Sequence, residues 1–191
     1  MSLSAHFFIL IGASGAGKTT VLERLLQEPG LNLTRALSTT SRPPRPDETD
    51  GVDYHFVSRK RFESMIAQDA LFEWTEIYGQ YYGMERTRLE ALRRSSQGII
   101  SVLEPIGAQK IKQADPTHTT IILLDVPKDS LLKRLNARSF SPEALATRLA
   151  RIDREQDQYP SLADIRVNNL DGALGEAVEQ VKRLIESTNH S

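Results

Sequence analysis

The residues Gly12-Ala13-Ser14-Gly15-Ala16-Gly17-Lys18-Thr19-Thr20 carry the densest chemical signal in the chain. Their spacing, G-x-x-x-x-G-K-T, is that of a loop that wraps a polyphosphate. Gly12, Gly15 and Gly17 permit backbone angles and close approaches that a Cβ would block, so successive N–H groups can point at phosphate oxygens. Lys18 adds a mobile cation for the outer phosphates, and the Thr19 hydroxyl is placed to hold Mg2+. A helix expected over residues 19–27 aims its positive N-terminal end at the same anion. This stretch is expected to bind a nucleoside triphosphate.

A second group of cations lies beyond it. Arg42 and Arg45 bracket Pro43-Pro44, so a stiff loop presents two guanidinium groups beside Ser38. Guanidinium forks match phosphate geometry, and a solvated basic loop is the plainer reading. Further on, Ser141 before Pro142 reads as an N-cap with proline at the first helical position. Arg138 precedes that helix and Arg148, Arg151 and Arg154 lie along it, neighbours three apart sharing a face. For Arg151 and Arg154 a solvated helix face is the alternative.

Elements follow that would position these groups. The apolar run Phe7–Ile11, directly before the glycines, reads as a buried parallel strand. Alternating residues predict half-buried strands over Val52–Val57 and Leu71–Tyr78, with a turn at Gly79-Gln80 leading into Tyr81-Tyr82-Gly83. Helices are expected over Arg59–Gln68, capped by Ser58, and Glu85–Ser96. Strands at Ile99–Leu103, Thr119–Val126 and Ala163–Val167 then alternate with helices at Gly107–Gln113, Lys128–Asn136 and Leu174–Glu186. Such alternation implies an α/β fold, a parallel sheet flanked by helices, interrupted by a mostly β insertion rich in Arg, Tyr and hydroxyls.

Composition excludes several classes. The 191 residues suffice for one full core with a small inserted lobe. A net charge of −1 gives no global field for nucleic acid or an anionic membrane, so neither is expected as a partner. No apolar stretch approaches the roughly 20 residues of a membrane helix. The absence of cysteine removes thiolate chemistry and disulfides, leaving the cytoplasm as the expected location. The four histidines are scattered, which argues against a histidine-built metal site.

The P-loop, the S-x-x-x-R-x-x-R spacing of Ser38, Arg42 and Arg45, Asp50-Gly51-Val52-Asp53-Tyr54, Phe72-Glu73-Trp74 and Gly79-Gln80-Tyr81-Tyr82-Gly83 together resemble guanylate kinases. The resemblance runs in order over nearly the whole chain. It implies a P-loop NTPase fold with a core over 1–34 and 97–191, a monophosphate-binding insertion over 35–96 and an Arg-bearing lid over about 137–155. It also implies transfer of the γ-phosphoryl of ATP to GMP with Mg2+. The P-loop would hold ATP; Ser38, Arg42, Arg45, Tyr54 and Tyr82 would hold the acceptor phosphate; Glu73 would accept from guanine N1–H and the 2-amino group. Lys18, Arg45, Arg138 and Arg148 would surround the transferring group, and Glu104 would join Thr19 at the metal. Asn168 is a candidate adenine contact. An acceptor such as another nucleotide or a phosphosugar is the alternative, with a non-catalytic binding module of the same fold behind it.

Departures from that pattern bear on the base. Met84 stands where the family commonly has Ser or Thr, and Val102 where it has the first of two acids. Pro105 follows, and the lid lacks an acidic run. Weaker guanine discrimination is expected, which Met84→Ser would sharpen.

Overall fold

Five parallel strands, β1 (His6–Ile11), β2 (Leu33–Arg35), β7 (Gly98–Val102), β8 (Thr119–Asp125) and β9 (Ile165–Asn168), build the larger of two sheets, in the order β2-β7-β1-β8-β9. The computed structural model describes residues 5–77, 79–137 and 141–189. Phe7 through Ile11 are wholly buried because both faces of β1 are covered. Phe8 and Leu10 point to one side, against Val21, Leu22 and Leu25 of α1 (Lys18–Leu26) and Val181 and Ile185 of α7 (Leu174–Asn189). Phe7, Ile9 and Ile11 point to the other, towards Leu89 of α3 (Arg86–Ser95) and Ala108 and Ile111 of α4 (Pro105–Ala114). The two-residue period of a strand thus feeds two cores. Each buried aromatic or aliphatic side chain contributes about 1.5–3 kcal/mol.

The smaller sheet has the order β4-β3-β6-β5, formed by β3 (Thr39–Thr40), β4 (His55–Phe56), β5 (Leu71–Ile77) and β6 (Gln80–Glu85). Its helix α2 (Arg59–Ala67) is capped by the Ser58 hydroxyl, which accepts from the Arg61 N–H. Phe62 and Met65 of α2 pack on Leu71, and the Phe62 ring stacks on Tyr81 at 5.3 Å. The sheet starts at Thr39; Arg35 pairs with Ile100 in the larger sheet, whereas the sequence reading begins the insertion at Arg35.

Three expectations about elements change. The strand expected over Val52–Val57 shrinks to His55–Phe56, because the Thr49 carbonyl accepts from both the Val52 and Asp53 N–H groups and closes a turn. Val52 is left 58% exposed. The helix expected from Gly107 starts two residues earlier, at Pro105, whose missing N–H costs nothing in the first turn of α4. The last strand runs to Asn168 and is preceded by a 3-10 turn at Tyr159–Leu162. The remaining helices are α5 (Lys128–Asn136) and α6 (Pro142–Gln158), the latter opened by the Ser141 hydroxyl accepting from the Ala144 N–H.

Met84 requires a correction of a different kind. Its side chain is 1% exposed and buried in the cluster of Phe7, Leu89, Ile99 and Leu103. The regular register of β5 and β6 sets Met84 opposite Glu73, and the pairing shifts only beyond them, between Glu73 and Leu71. Met84→Ser therefore puts a hydroxyl into apolar packing instead of a base pocket. We expect a stability loss of about 2–4 kcal/mol in chemical denaturation, by the cavity and desolvation arguments, and no gain in base selectivity.

Candidate active site

Between the C-terminal ends of β1 and β7, the smaller sheet and α6 lies one cleft. Gly12, Ser14 and Lys18 form its floor, Ser38, Arg45, Tyr54, Glu73 and Tyr82 one wall, and Glu104, Arg148, Arg151, Glu155 and Tyr159 another. Ten of the residues expected from the sequence thus meet here: Gly12, Ser14, Lys18, Ser38, Arg45, Tyr54, Glu73, Tyr82, Glu104 and Arg148. Thr19 lines an adjoining hollow that shares Ser38, Arg45 and Tyr54 with the cleft. Thr20 is exposed, Ala13 and Ala16 are buried beneath the loop, and Arg138 lies outside the described residues.

The loop before α1 has the geometry its glycines suggest. Gly17 is the N-cap of α1 with φ of 85°, and there is neither a side-chain cap nor an acid in the first turn, so the leading N–H groups are left for an anion. Lys18 Nζ donates to the carbonyls of Gly12 (2.6 Å) and Ala13 (3.0 Å), folding over the loop from within. The loop is fixed from outside as well. Asn169, 3% exposed, donates its side-chain amide to Ala16 O at 2.8 Å. Arg134 of α5 donates to the Asn169 carbonyl and pairs with Asp171. A Cβ on Gly17 would lie 2.6 Å from the Asn169 amide nitrogen, so that clamp closes only on glycine. Asn168, picked from the sequence, is exposed; its neighbour Asn169 makes the buried contact.

Arg42 and Arg45 differ. Arg42 is clasped by Glu48 through two hydrogen bonds of 2.8 Å, and its guanidinium lies 5.5 Å from the Tyr54 ring centroid and 5.7 Å from that of Phe56. It is not part of the cleft wall. Burial would raise the Glu48 pKa, but the hydrogen bonds from Arg42 and the Arg45 N–H outweigh it and hold it below the usual carboxylate range. The Arg45 side chain is 57% exposed, has its Glu48 partner only at 3.7 Å and faces both the cleft and the hollow. The tyrosines Tyr54 and Tyr82 meet edge to face with centroids 6.1 Å apart.

Glu73 is a carboxyl group held out of water. It is 5% exposed, and burial pushes its pKa up to about 7 against a weaker lowering by Lys110 and the Met84 N–H. It fits beside the first turn of α4 because residue 107 is glycine: a Cβ there would sit 2.4 Å from Glu73 Oε2. The sequence places a carboxylate at 73; Gly107, which admits it, lies 34 positions further on and carries no local signal.

A cleft with a phosphate loop at one end and Arg45, Ser38 and two tyrosines at the other is arranged for two anionic ligands. Similarity to known proteins identifies the family. The family model described as guanylate kinase matches residues 4–188. The guanylate kinase of Neisseria meningitidis serogroup A is 37% identical over 183 residues, covering 95% of this chain and 87% of that protein. That of Shewanella violacea is 33% identical over 184 residues, covering 95% and 89%. The crystal structure of guanylate kinase from Anaplasma phagocytophilum superposes with a TM-score of 0.78 at 21% identity, covering 99% of this chain and 88% of that one, and supports the fold. The chain belongs to the guanylate kinase family and is a nucleoside monophosphate kinase of the P-loop α/β fold.

Proposed function

We propose that this kinase transfers the γ-phosphoryl group of ATP to GMP with Mg2+, giving ADP and GDP. The observation that carries the reading is the buried Glu73 carboxylate in the same cleft as Lys18 and Arg45. Guanine alone among the common bases offers two adjacent donors, N1–H and the 2-amino group, to a carboxylate. The loop 12–20 takes the triphosphate, and Ser38, Arg45, Tyr54 and Tyr82 take the acceptor phosphate. Lys18, Arg45 and Arg148 surround the group in transit, and Arg138, outside the described residues, is proposed to act with them. The transition state spreads charge over the equatorial oxygens, so fixed cations and alignment supply most of the acceleration. A phosphate acceptor is already anionic, and no general base is required.

The residues present fit a magnesium ion. Among the described residues no three acids or histidines cluster, so no all-protein cage exists. The Thr19 hydroxyl and the Glu104 carboxylate suit an ion that takes most of its ligands from phosphates and water. Bound there, Mg2+ neutralises phosphate charge. Residues 39–85 with their own sheet act as the acceptor-binding unit, and α6 as the lid.

An ATP-consumption assay against GMP, AMP, IMP, pyrimidine monophosphates and phosphosugars tests the acceptor. GMP should give the highest kcat/KM; highest activity on a phosphosugar would overturn the choice. Two substitutions separate the arginines. Arg42→Ala, which strips Glu48 and the Tyr54 and Phe56 rings of their partner, should cost about 1–2 kcal/mol of stability and raise KM for GMP. Arg45→Ala should leave stability within about 0.5 kcal/mol and lower kcat about 10- to 100-fold. Unchanged kinetics in Arg45→Ala would remove it from the acceptor site.

A further inference from the structure

Two charged groups of the cleft have no task in the mechanism above: Glu155 and Arg151. Arg151 follows Arg148 by three residues on α6, and both guanidinium groups reach the cleft that holds Lys18. Its Nε lies 3.0 Å from Glu155 Oε1, and its Nη2 lies 3.9 Å from Glu104 Oε2. Glu155 is only 7% exposed. Burial raises its pKa against the opposing pull of Arg151, and Lys18 is near enough to lower it too. An i,i+4 pair with Glu155 is common on a solvated helix face; a reach to Glu104 on another element, within the cleft, is not. Arg151 instead bridges from α6 to the carboxylate at the head of α4.

We propose that Arg151 is a further phosphate-binding arginine of this kinase, held on Glu104 and Glu155 in the ligand-free protein and transferred to the triphosphate when it binds. The inference rests on the ATP reading of the loop. Phosphate oxygens accept the planar guanidinium fork as carboxylates do, and a triphosphate offers more charge than either glutamate. The contact with Glu104 is the looser of the two and the one that links α6 to the core. It is also the contact that would weaken if Glu104 turned toward a cation. The two glutamates keep the guanidinium in the cleft meanwhile, so little reorganisation separates the parked position from the bound one. Glu155 then plays two opposed parts: it holds Arg151 ready, and it repels the incoming phosphates.

That opposition supplies the test. Binding of AMP-PNP is measured by calorimetry with Mg2+ and again in EDTA, beside steady-state kinetics with ATP and GMP and thermal unfolding. R151Q should weaken AMP-PNP binding about 10-fold and lower kcat about 10- to 100-fold, less than the loss of a sole arginine finger because Arg148 remains. R151K should recover part of the binding. E155Q should tighten AMP-PNP binding, since it frees Arg151 and removes a negative charge from the phosphate end. The R151Q/E155Q double variant, with neither charge left unpaired, should still bind as weakly as R151Q. If R151Q binds AMP-PNP within twofold of the wild type, the proposal is overturned. It is equally overturned if R151Q and E155Q weaken binding together with matched losses of Tm, because the pair then serves only α6. Failure of the wild type to phosphorylate GMP overturns the acceptor assignment, while the AMP-PNP arm still decides Arg151.

Discussion

Lys18→Ala is expected to leave the fold standing while removing turnover by about 10³-fold or more. In the ligand-free protein Lys18 Nζ donates to the carbonyls of Gly12 and Ala13, so the side chain lies over the loop rather than in the core. On the proposed reading a triphosphate takes the place of those two carbonyls as partner, with the ammonium against its outer phosphates. Loss of the side chain therefore removes charge where charge develops. The loop itself keeps its shape through contacts independent of Lys18, above all the Asn169 amide on Ala16 O and Arg134 on the Asn169 carbonyl. A Tm within about 3 °C of the wild type follows for a domain of this size. Near-normal kcat with normal dependence on ATP would sink the assignment of the loop as the catalytic nucleotide site. A Tm drop of 10 °C would show instead that Lys18 holds the loop together.

The loop was legible because everything it needs is contiguous: strand, glycines, lysine and helix stand within twenty residues. The same holds for the Ser141-Pro142 start of α6, where cap and first turn are neighbours. Legibility fails where the deciding contact is remote. Asn169 meets Ala16 across 153 positions, and nothing about an asparagine after a strand announces it. Arg151 looks like any helix-face arginine until Glu104, on another element, comes within 3.9 Å. Val52 alternates as a strand residue does, but two N–H groups converging on Thr49 O favour a turn, and backbone hydrogen bonding overrides the pattern. Met84 failed for a subtler reason. Its neighbour Tyr82 faces the cleft, and Met84, in unbroken register two residues on, shares that face of the sheet, but there the face is covered by Phe7, Leu89, Ile99 and Leu103, so the side chain belongs to the core. On the proposed reading, base selectivity comes from groups that do reach the cleft, Glu73 chief among them.

Glu73→Gln is expected to make the protein more stable at alkaline pH and to abolish most of its discrimination for guanine. The carboxyl pKa of Glu73 is raised from 4.5 to about 7 by burial, so the folded state holds a proton through that window that the unfolded chain has lost. Stability of the wild type therefore falls as pH rises from about 4.5 to 7 and is level above it; the displacement corresponds to about 3 kcal/mol. Glutamine has the same shape, still accepts from the Met84 N–H and carries no charge to bury. Denaturant titrations should find Glu73→Gln about 2 kcal/mol more stable than the wild type at pH 8, with the difference gone below about pH 5. A variant that is less stable at pH 8 would show that the site is not built around an uncompensated charge. Catalysis should move the opposite way. Guanine presents two donors, and an amide answers them with one acceptor and one donor, so kcat/KM for GMP should fall about 10³-fold while KM for ATP hardly changes. The wild-type profile should carry the same carboxyl group: kcat/KM for GMP rises with pH to a plateau above about 7, as the base-reading form is the ionised one. Ionisation of the GMP phosphate adds a step near pH 6 that survives in Glu73→Gln, so the limb near 7 is the one that must vanish. If it persists in the variant, Glu73 is not the group that reads the base.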